Sequence, residues 1–264
     1  MIRSKSLIMG ILNVTPDSFS DGGDYSDQSL AIQRGIEMFE LGVDIVDIGG
    51  ESTRPGSESI DIDTEIQRVL PVIEGISQYG RVSIDTQKPE VAVQAVRSGA
   101  SIINDVSASL AHVAAAEGAG WIAMHRQGIS KNMQDSPEYL DVVSEVKKFL
   151  VDKAREAINL GVEEVWIDPG FGFGKTLEHN LALLANISEF VATGYNVAIG
   201  ISRKSMLGQL TAYSDGSETV APEYDRLEGS LISSSYAMLN GVSLVRVHDV
   251  EHTLQARSVI NGSI

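Results

Sequence analysis

Short apolar runs alternate with longer stretches of helical periodicity along the chain. The runs at 7–12, 43–48, 82–84, 102–103, 121–124, 165–167, 197–199 and 244–247 are strand-length. They lack the polar alternation of a half-exposed sheet, which suits parallel strands covered on both faces by helices. Helices are expected over 28–41, with Ile32, Ile36 and Phe39 on one face, and over 63–76, 88–98, 109–117, 137–159, 177–191, 227–239 and from 251 onward. Gly42, Gly161 and Gly241 stand where helices should stop. Pro71 should kink or break the second helix. Residues 214–223 have the composition of a flexible loop. Eight strand–helix repeats in 264 residues point to an α/β protein, one (β/α)8 TIM barrel spanning 1–264 as a single domain. A doubly wound sheet is the competing architecture; strand number and chain length favour the barrel.

In a parallel barrel the C-terminal ends of all strands open on one face, and that face carries the chemistry. Those ends are Asn13, Glu51, Asp85, Asn104, His125, Asp168, Lys204, and Arg246 with His248. One polar residue after one strand is simply a strand ending. Eight around one mouth are an active-site arrangement. Asp85, Asn104 and Asp168 can accept hydrogen bonds from a flat heterocycle rich in N–H donors. Arg54, Arg203, Lys204, Arg246 and His248 can contact an anion, although Arg203 equally suits an outward salt bridge. Asn13 and Asp85 offer oxygens suited to Mg²⁺, which takes few protein ligands plus substrate phosphate. His125, beside Met124, reads as structural, and His112 and His179 fall on helices, expected at the surface.

The densest stretch is Asp168-Pro169-Gly170-Phe171-Gly172-Phe173-Gly174-Lys175, a carboxylate at a strand end followed by a glycine-rich turn that lets backbone approach a ligand. Gly174-Lys175-Thr176 imitates the tail of a phosphate-binding P-loop, but Pro169 stands where that loop needs its first glycine. Lys175 likewise occupies the third glycine's place in a Gly-x-Gly-x-x-Gly. Two long polar loops, 15–23 and 49–57, carry Phe19 and Arg54.

Hydrophobic residues make up 43% of the chain, enough for a real core. The net charge of −16 argues against non-specific binding to nucleic acid or anionic membrane. Any anionic ligand must find a locally basic pocket. The absence of cysteine excludes disulfides and thiolate metal sites. With no signal-peptide pattern and no apolar run near 20 residues, a cytoplasmic protein is expected.

Seven segments, in this order and spacing, resemble the dihydropteroate synthases of the folate pathway. They are residues 9–23, 49–56, Ser83-Ile84-Asp85-Thr86 with Lys88-Pro89, Ile103-Asn104-Asp105-Val106, 168–175, Ser202-Arg203-Lys204-Ser205, and Arg246-Val247-His248-Asp249-Val250. The resemblance implies a TIM-barrel homodimer that uses Mg²⁺. It would join 4-aminobenzoate to the methylene of 6-hydroxymethyl-7,8-dihydropterin diphosphate in an SN1-like step, giving 7,8-dihydropteroate and diphosphate. By the same resemblance Asp85, Asn104, Asp168 and Lys204 hold the pterin ring, and Met124 joins the substrate-binding residues. Asn13, Arg246 and His248 hold the diphosphate, with the metal at Asn13. Phe19, Thr53, Arg54, Pro55, Phe173, Lys204 and Ser205 form the aminobenzoate site, where sulfonamides would compete. Ser205 opens a helix whose N-terminus suits a carboxylate. Asp85, Lys204, Arg246 and His248 are the implied catalytic residues.

The chain departs from the family pattern at Arg126, where an apolar or amide residue is common, and at Ser107-Ala108-Ser109, which replaces a glycine-bearing turn. A pterin-binding methyltransferase domain would share the Asp and Asn contacts but would not need the two loops or the Arg246–His248 anion site. Retention of Asn13, Lys204 and Arg246 together disfavours a catalytically silent paralogue. The small residues Ser230, Ser233, Ser234 and Ala237 allow close helix packing, in a dimer or within the barrel.

Overall fold

The structure is a computed structural model that describes residues 6–15, 24–51, 59–128 and 137–262. Among these, eight parallel strands close into a barrel in sequence order. They are β1 (Leu7–Asn13), β2 (Ile45–Gly49), β3 (Arg81–Asp85), β4 (Ile102–Asp105), β5 (Gly120–Met124), β6 (Val165–Asp168), β7 (Asn196–Ile199) and β8 (Leu244–Val247). The helices are α1 (Asp24–Leu41), α2 (Ile62–Ile76), α3 (Pro89–Arg97), α4 (Ala111–Glu117), α5 (Val142–Asn159), α6 (Leu177–Ala185), α7 (Ile187–Val191), α8 (Ser205–Asp215), α9 (Leu227–Leu239) and α10 (Val250–Gly262). The expected TIM barrel is therefore the observed one.

Strand periodicity explains both the core and the mouth. Successive side chains point to opposite faces. Ile8, Val46, Val82, Ile103, Trp121, Ile167, Val197 and Val245 face outward into the layer shared with the helices. Met9, Ile45, Ile102, Ile122, Trp166, Ala198 and Leu244 face inward and fill the lower barrel. Two residues further along, the inward positions become Asp47, Asn104, Met124, Asp168 and Arg246. Each of these strands thus runs from an apolar floor to a functional group. Gly49 lies in register with Asn13 on one side and Asp85 on the other.

Three expectations are corrected. α2 passes through Pro71 without a break; the Gln67 carbonyl, which loses its helical donor to the proline, accepts from Gln28 Nε2 at 3.2 Å. The helix expected over 177–191 is two, divided at Asn186, whose Nδ2 bonds the Ala182 carbonyl at 2.8 Å. α5 starts at Val142 because the Asp141 carboxylate accepts from Val143 N and Ser144 N as its N-cap. The polar segment 214–223 is irregular over 216–222, as its composition implies, between the end of α8 at Asp215 and a 3-10 turn at Glu223–Asp225. The small residues of α9 pack inside this chain: Ser230, Ser233, Ser234 and Ala237 are all buried, and Ser230 Oγ accepts from Arg203 N. Ala108 stands at φ 50, the left-handed conformation that its missing glycine would have taken without strain. Among the described residues no helix is long and apolar enough to cross a membrane.

Candidate active site

Arg246 links the strands of the mouth. Its Nε donates to Asp47 Oδ2 at 2.6 Å and its Nη2 to Asp85 Oδ2 at 2.7 Å. Asn104 Nδ2 donates to the same Asp47 oxygen at 3.1 Å. One network therefore joins β2, β3, β4 and β8. Burial pushes the Asp85 carboxyl up to about 7; Arg246 opposes the shift, and Asp47 and Glu65 add to it. Burial also works against the Arg246 charge, but Asp47 and Asp85 more than compensate and hold it firmly protonated.

Across the mouth, the turn after β6 is pressed against the end of β5. Gly170, Gly172 and Gly174 have φ of 68, 77 and 61, where only glycine sits without strain. A Cβ on Gly170 would lie 1.9 Å from the His125 carbonyl oxygen. Asp168 Oδ1 accepts from Gly170 N at 2.7 Å, and burial raises the Asp168 pKa. Lys175 fills the inside of the turn, donating to the Gly170, Phe173 and His125 carbonyls at 2.9, 3.1 and 3.2 Å, with His125 Nδ1 at 3.0 Å. Burial lowers Lys175 to about 7 and His125 to about 3, so the imidazole is neutral. Lys204 bonds the Phe171 carbonyl and stands 4.0 Å over the Phe173 ring. Burial lowers it to about 7, with Asp168 pulling the other way. Phe173, Met124 and Val106 form a small apolar cluster beside these charges, a wall for a flat ring.

The remaining expected residues divide. Asn13 reaches the mouth: a Cβ on Gly49 would lie 3.6 Å from Asn13 Oδ1 and 4.0 Å from Asp85 Oδ2, so glycine leaves both oxygens facing one space. One amide oxygen and one carboxylate fit Mg²⁺ that completes its shell with substrate phosphate. Among the described residues no cluster of three His, Cys, Asp or Glu side chains could hold a metal without such help. His248 Nδ1 lies 3.1 Å from Ser202 Oγ. Ser205 opens α8 beside a cavity of about 370 Å³ bounded also by Gly172, Lys175, Thr176 and Gln209. Glu51 is taken up by other partners: its carboxylate accepts from Lys88 Nζ at 3.0 Å and from Ile60 N at 3.1 Å. His125 belongs to the Lys175 clamp. Arg203 takes the outward option, with its Nε 3.1 Å from Asp249. His112 is exposed as expected, whereas His179 is not a free surface group, since its Nδ1 accepts from Thr176 N and caps α6. Arg126 points at Gln87, 3.4 Å away. Phe19, Thr53, Arg54 and Pro55 lie outside the described residues.

Two buried residues were missed as site components, Asp47 and Lys175. Asp47 carried a signal, a lone carboxylate inside the apolar run Ile45-Val46-Asp47-Ile48. Lys175 belongs to the P-loop-like tail that Pro169 rules out, yet a lysine ending a triple-glycine turn is placed to bond that turn's own carbonyls.

Fold and mouth together are those of a barrel enzyme whose strand ends offer acceptors and cationic groups side by side. A family model described as pterin binding enzyme matches residues 9–248. The dihydropteroate synthase of Escherichia coli strain K12 is 42% identical over 266 residues, covering 97% of this chain and 91% of that protein. That of Mycobacterium leprae is 43% identical over 264 residues, covering 97% and 92%. The chain also matches the crystal structure of Yersinia pestis dihydropteroate synthase with a sulfonamide drug complex, at TM-score 0.89 and 38% identity, covering 98% and 94% of the two chains. The Xanthomonas albilineans dihydropteroate synthase in complex with 7,8-dihydropteroate matches at 0.84 and 37%, covering 100% and 95%. The chain belongs to the dihydropteroate synthase family of pterin-binding enzymes.

Proposed function

We infer that this chain, read as one domain over 1–264, is a folate-biosynthesis transferase. It condenses 6-hydroxymethyl-7,8-dihydropterin diphosphate with 4-aminobenzoate to give 7,8-dihydropteroate and diphosphate. The observation that carries the reading is the pairing, across one mouth, of the Asp47–Arg246–Asp85 network with Asp168 and Lys204, in a chain 42% identical to a dihydropteroate synthase over nearly its whole length. The relative from Xanthomonas albilineans is found with 7,8-dihydropteroate, the product this reaction would give.

In this reading Asp85, Asn104 and Asp168 accept from the ring N–H groups, while Met124 and Phe173 cover a ring face. Arg246 and His248, with Asn13, meet the diphosphate. Mg²⁺ held at Asn13 would supply positive charge to the phosphate oxygens. Thr53, Arg54 and Pro55 from the second loop and Phe19 from the first complete the aminobenzoate site beside Phe173, Lys204 and Ser205. The α8 N-terminus at Ser205 suits the benzoate carboxylate.

The charges favour an SN1-like order. In this reading Arg246 meets the diphosphate as it gains charge, and such groups act on the transition state. The bond between methylene and diphosphate oxygen breaks first, with its electron pair leaving on diphosphate. Asp85 and Asp168 offset the positive charge spread over ring and methylene. The arylamine nitrogen then bonds the methylene and releases a proton. Lys204 suits that proton: burial lowers it to about 7, close to the operating pH of a general base.

The exposed apolar residues Ile232, Tyr236 and Leu239 on one face of α9 support a homodimer; sedimentation at micromolar concentration should then give twice the chain mass. A cytoplasmic location is part of the same reading. The assay for the function mixes the protein with the dihydropterin diphosphate, 4-aminobenzoate and Mg²⁺. Diphosphate release that depends on aminobenzoate supports the synthase. Pterin binding without turnover would indicate a silent paralogue, and methyl transfer from methyltetrahydrofolate the methyltransferase alternative.

A further inference from the structure

Asp47 is fully buried on β2, two residues short of the strand end, among Ile11 of β1 and Ser83 of β3 in register. Its Oδ2 takes two donors, Arg246 Nε and Asn104 Nδ2, while its Oδ1 takes none among the described residues. Stability does not explain such a residue. The cost of removing both ions of a buried pair from water rivals their attraction, and an unpaired buried oxygen adds to that cost. An apolar residue like its neighbours Ile45 and Ile11 would fill the position at less expense.

The geometry explains it better. A guanidinium has five N–H donors in a rigid fork. Asp47 and Asp85, on different strands, take one from Nε and one from Nη2, which fixes the plane of the fork and leaves the other donors for a ligand. The second effect falls on Asn104. An amide presents nitrogen on one side and oxygen on the other, and a carboxylate can be faced only by the NH₂. With Nδ2 turned to Asp47, Asn104 Oδ1 is the acceptor left facing a ligand, and only the second Nδ2 hydrogen remains to donate.

We propose that Asp47 is a positioning residue of the pterin site, locking the Arg246 guanidinium and setting the Asn104 amide so that its oxygen faces the ring donors. This rests on the pterin-binding reading above, and the test separates the two. Calorimetry with 6-hydroxymethylpterin is run on the full chain as wild type, Asp47→Asn, the Asn104→Ala/Arg246→Gln double variant, and the triple variant. Steady-state KM for 4-aminobenzoate is measured on wild type and Asp47→Asn. Asp47→Asn should weaken pterin binding about tenfold or more, with the aminobenzoate KM within about twofold, and should have almost no further effect in the double-variant background. Wild-type affinity in Asp47→Asn, or the same loss in both backgrounds, overturns the proposal. A wild type that binds no pterin refutes the functional reading instead. In that case, or if Asp47→Asn does not fold, the Arg246 Nε–H resonance decides. Slow exchange with water in the wild type supports the lock, and exchange as fast as in a surface arginine overturns it.

Discussion

Replacing Asp168 by Asn probes ring recognition with almost no change of shape. Asp168 is 4% exposed, and its Oδ1 is held by Gly170 N at 2.7 Å. Among the described residues no hydrogen bond reaches its other oxygen, which is the atom available to ring donors. Asparagine keeps the Gly170 bond only by placing its oxygen there, so its NH₂ must take the open position and face the ring's N–H groups donor to donor. An unpaired buried polar group costs about 1–3 kcal/mol, more if charged, which at about 1.4 kcal/mol per decade is a roughly five- to 150-fold loss. The alternative flip loses the Gly170 bond and loosens the turn, so it offers no escape. Stability should change little, because burial already disfavours the Asp168 charge. Calorimetric titration with 6-hydroxymethylpterin, beside a thermal melt, reads both quantities. A folded Asp168→Asn that binds pterin within twofold of wild type would remove Asp168 from the site.

Three further outcomes are expected. Asp85 is raised from 3.8 to about 7, so the folded chain holds a proton that the unfolded chain has released between those values, and its stabilising contribution is full below 3.8 and lost as pH rises to 7. Lys204 is lowered from 10.5 to about 7 and acts in the opposite sense, its contribution growing from pH 7 to 10.5. Urea unfolding free energies of wild type minus Asp85→Asn should therefore fall from pH 5 to 7, and of wild type minus Lys204→Met rise from pH 7 to 10; flat differences would contradict both shifts. Gly170→Ala puts a methyl 1.9 Å from the His125 carbonyl at φ 68 and should destabilise by about 3 kcal/mol or more, which an unchanged urea midpoint would refute. Lys175→Met leaves the Phe173 and His125 carbonyls without their buried donor, at about 1–3 kcal/mol for each unpaired group, while the Gly170 carbonyl keeps Phe173 N at 3.2 Å. Its melting temperature should drop and its aminobenzoate KM rise as Phe173 loosens, whereas a melt like the wild type's would mean water replaces the clamp.

The strands were legible because each is a short apolar run buried on both faces, and α9 was placed end to end by its flanks. Helix divisions were less so: Pro71 is tolerated because Gln28 supplies the donor it removes, and Asn186 ends α6 through a side-chain bond to a carbonyl. Both outcomes depend on which side chain reaches a carbonyl, which periodicity does not encode. Reading strand ends located the mouth but overcounted it. Position at a strand end fixes where a Cα sits, not which way its side chain turns. Glu51 and His125 are taken up by Lys88 and Lys175. Asp47 is not legible from strand ends because it lies inside β2, two residues before its end, where the apolar run gives no sign that the side chain faces the mouth.

The order of bond changes is the most direct test of a mouth that stabilises a departing anion and a positive methylene. The measurement is a single-turnover reaction at saturating aminobenzoate, with the dihydropterin diphosphate deuterated at its methylene and with ring-substituted aminobenzoates of differing amine basicity. Departure before attack predicts a normal secondary isotope effect and nearly the same rate for every amine. A steep dependence on amine basicity, with an isotope effect near unity or inverse, would contradict it and indicate direct displacement.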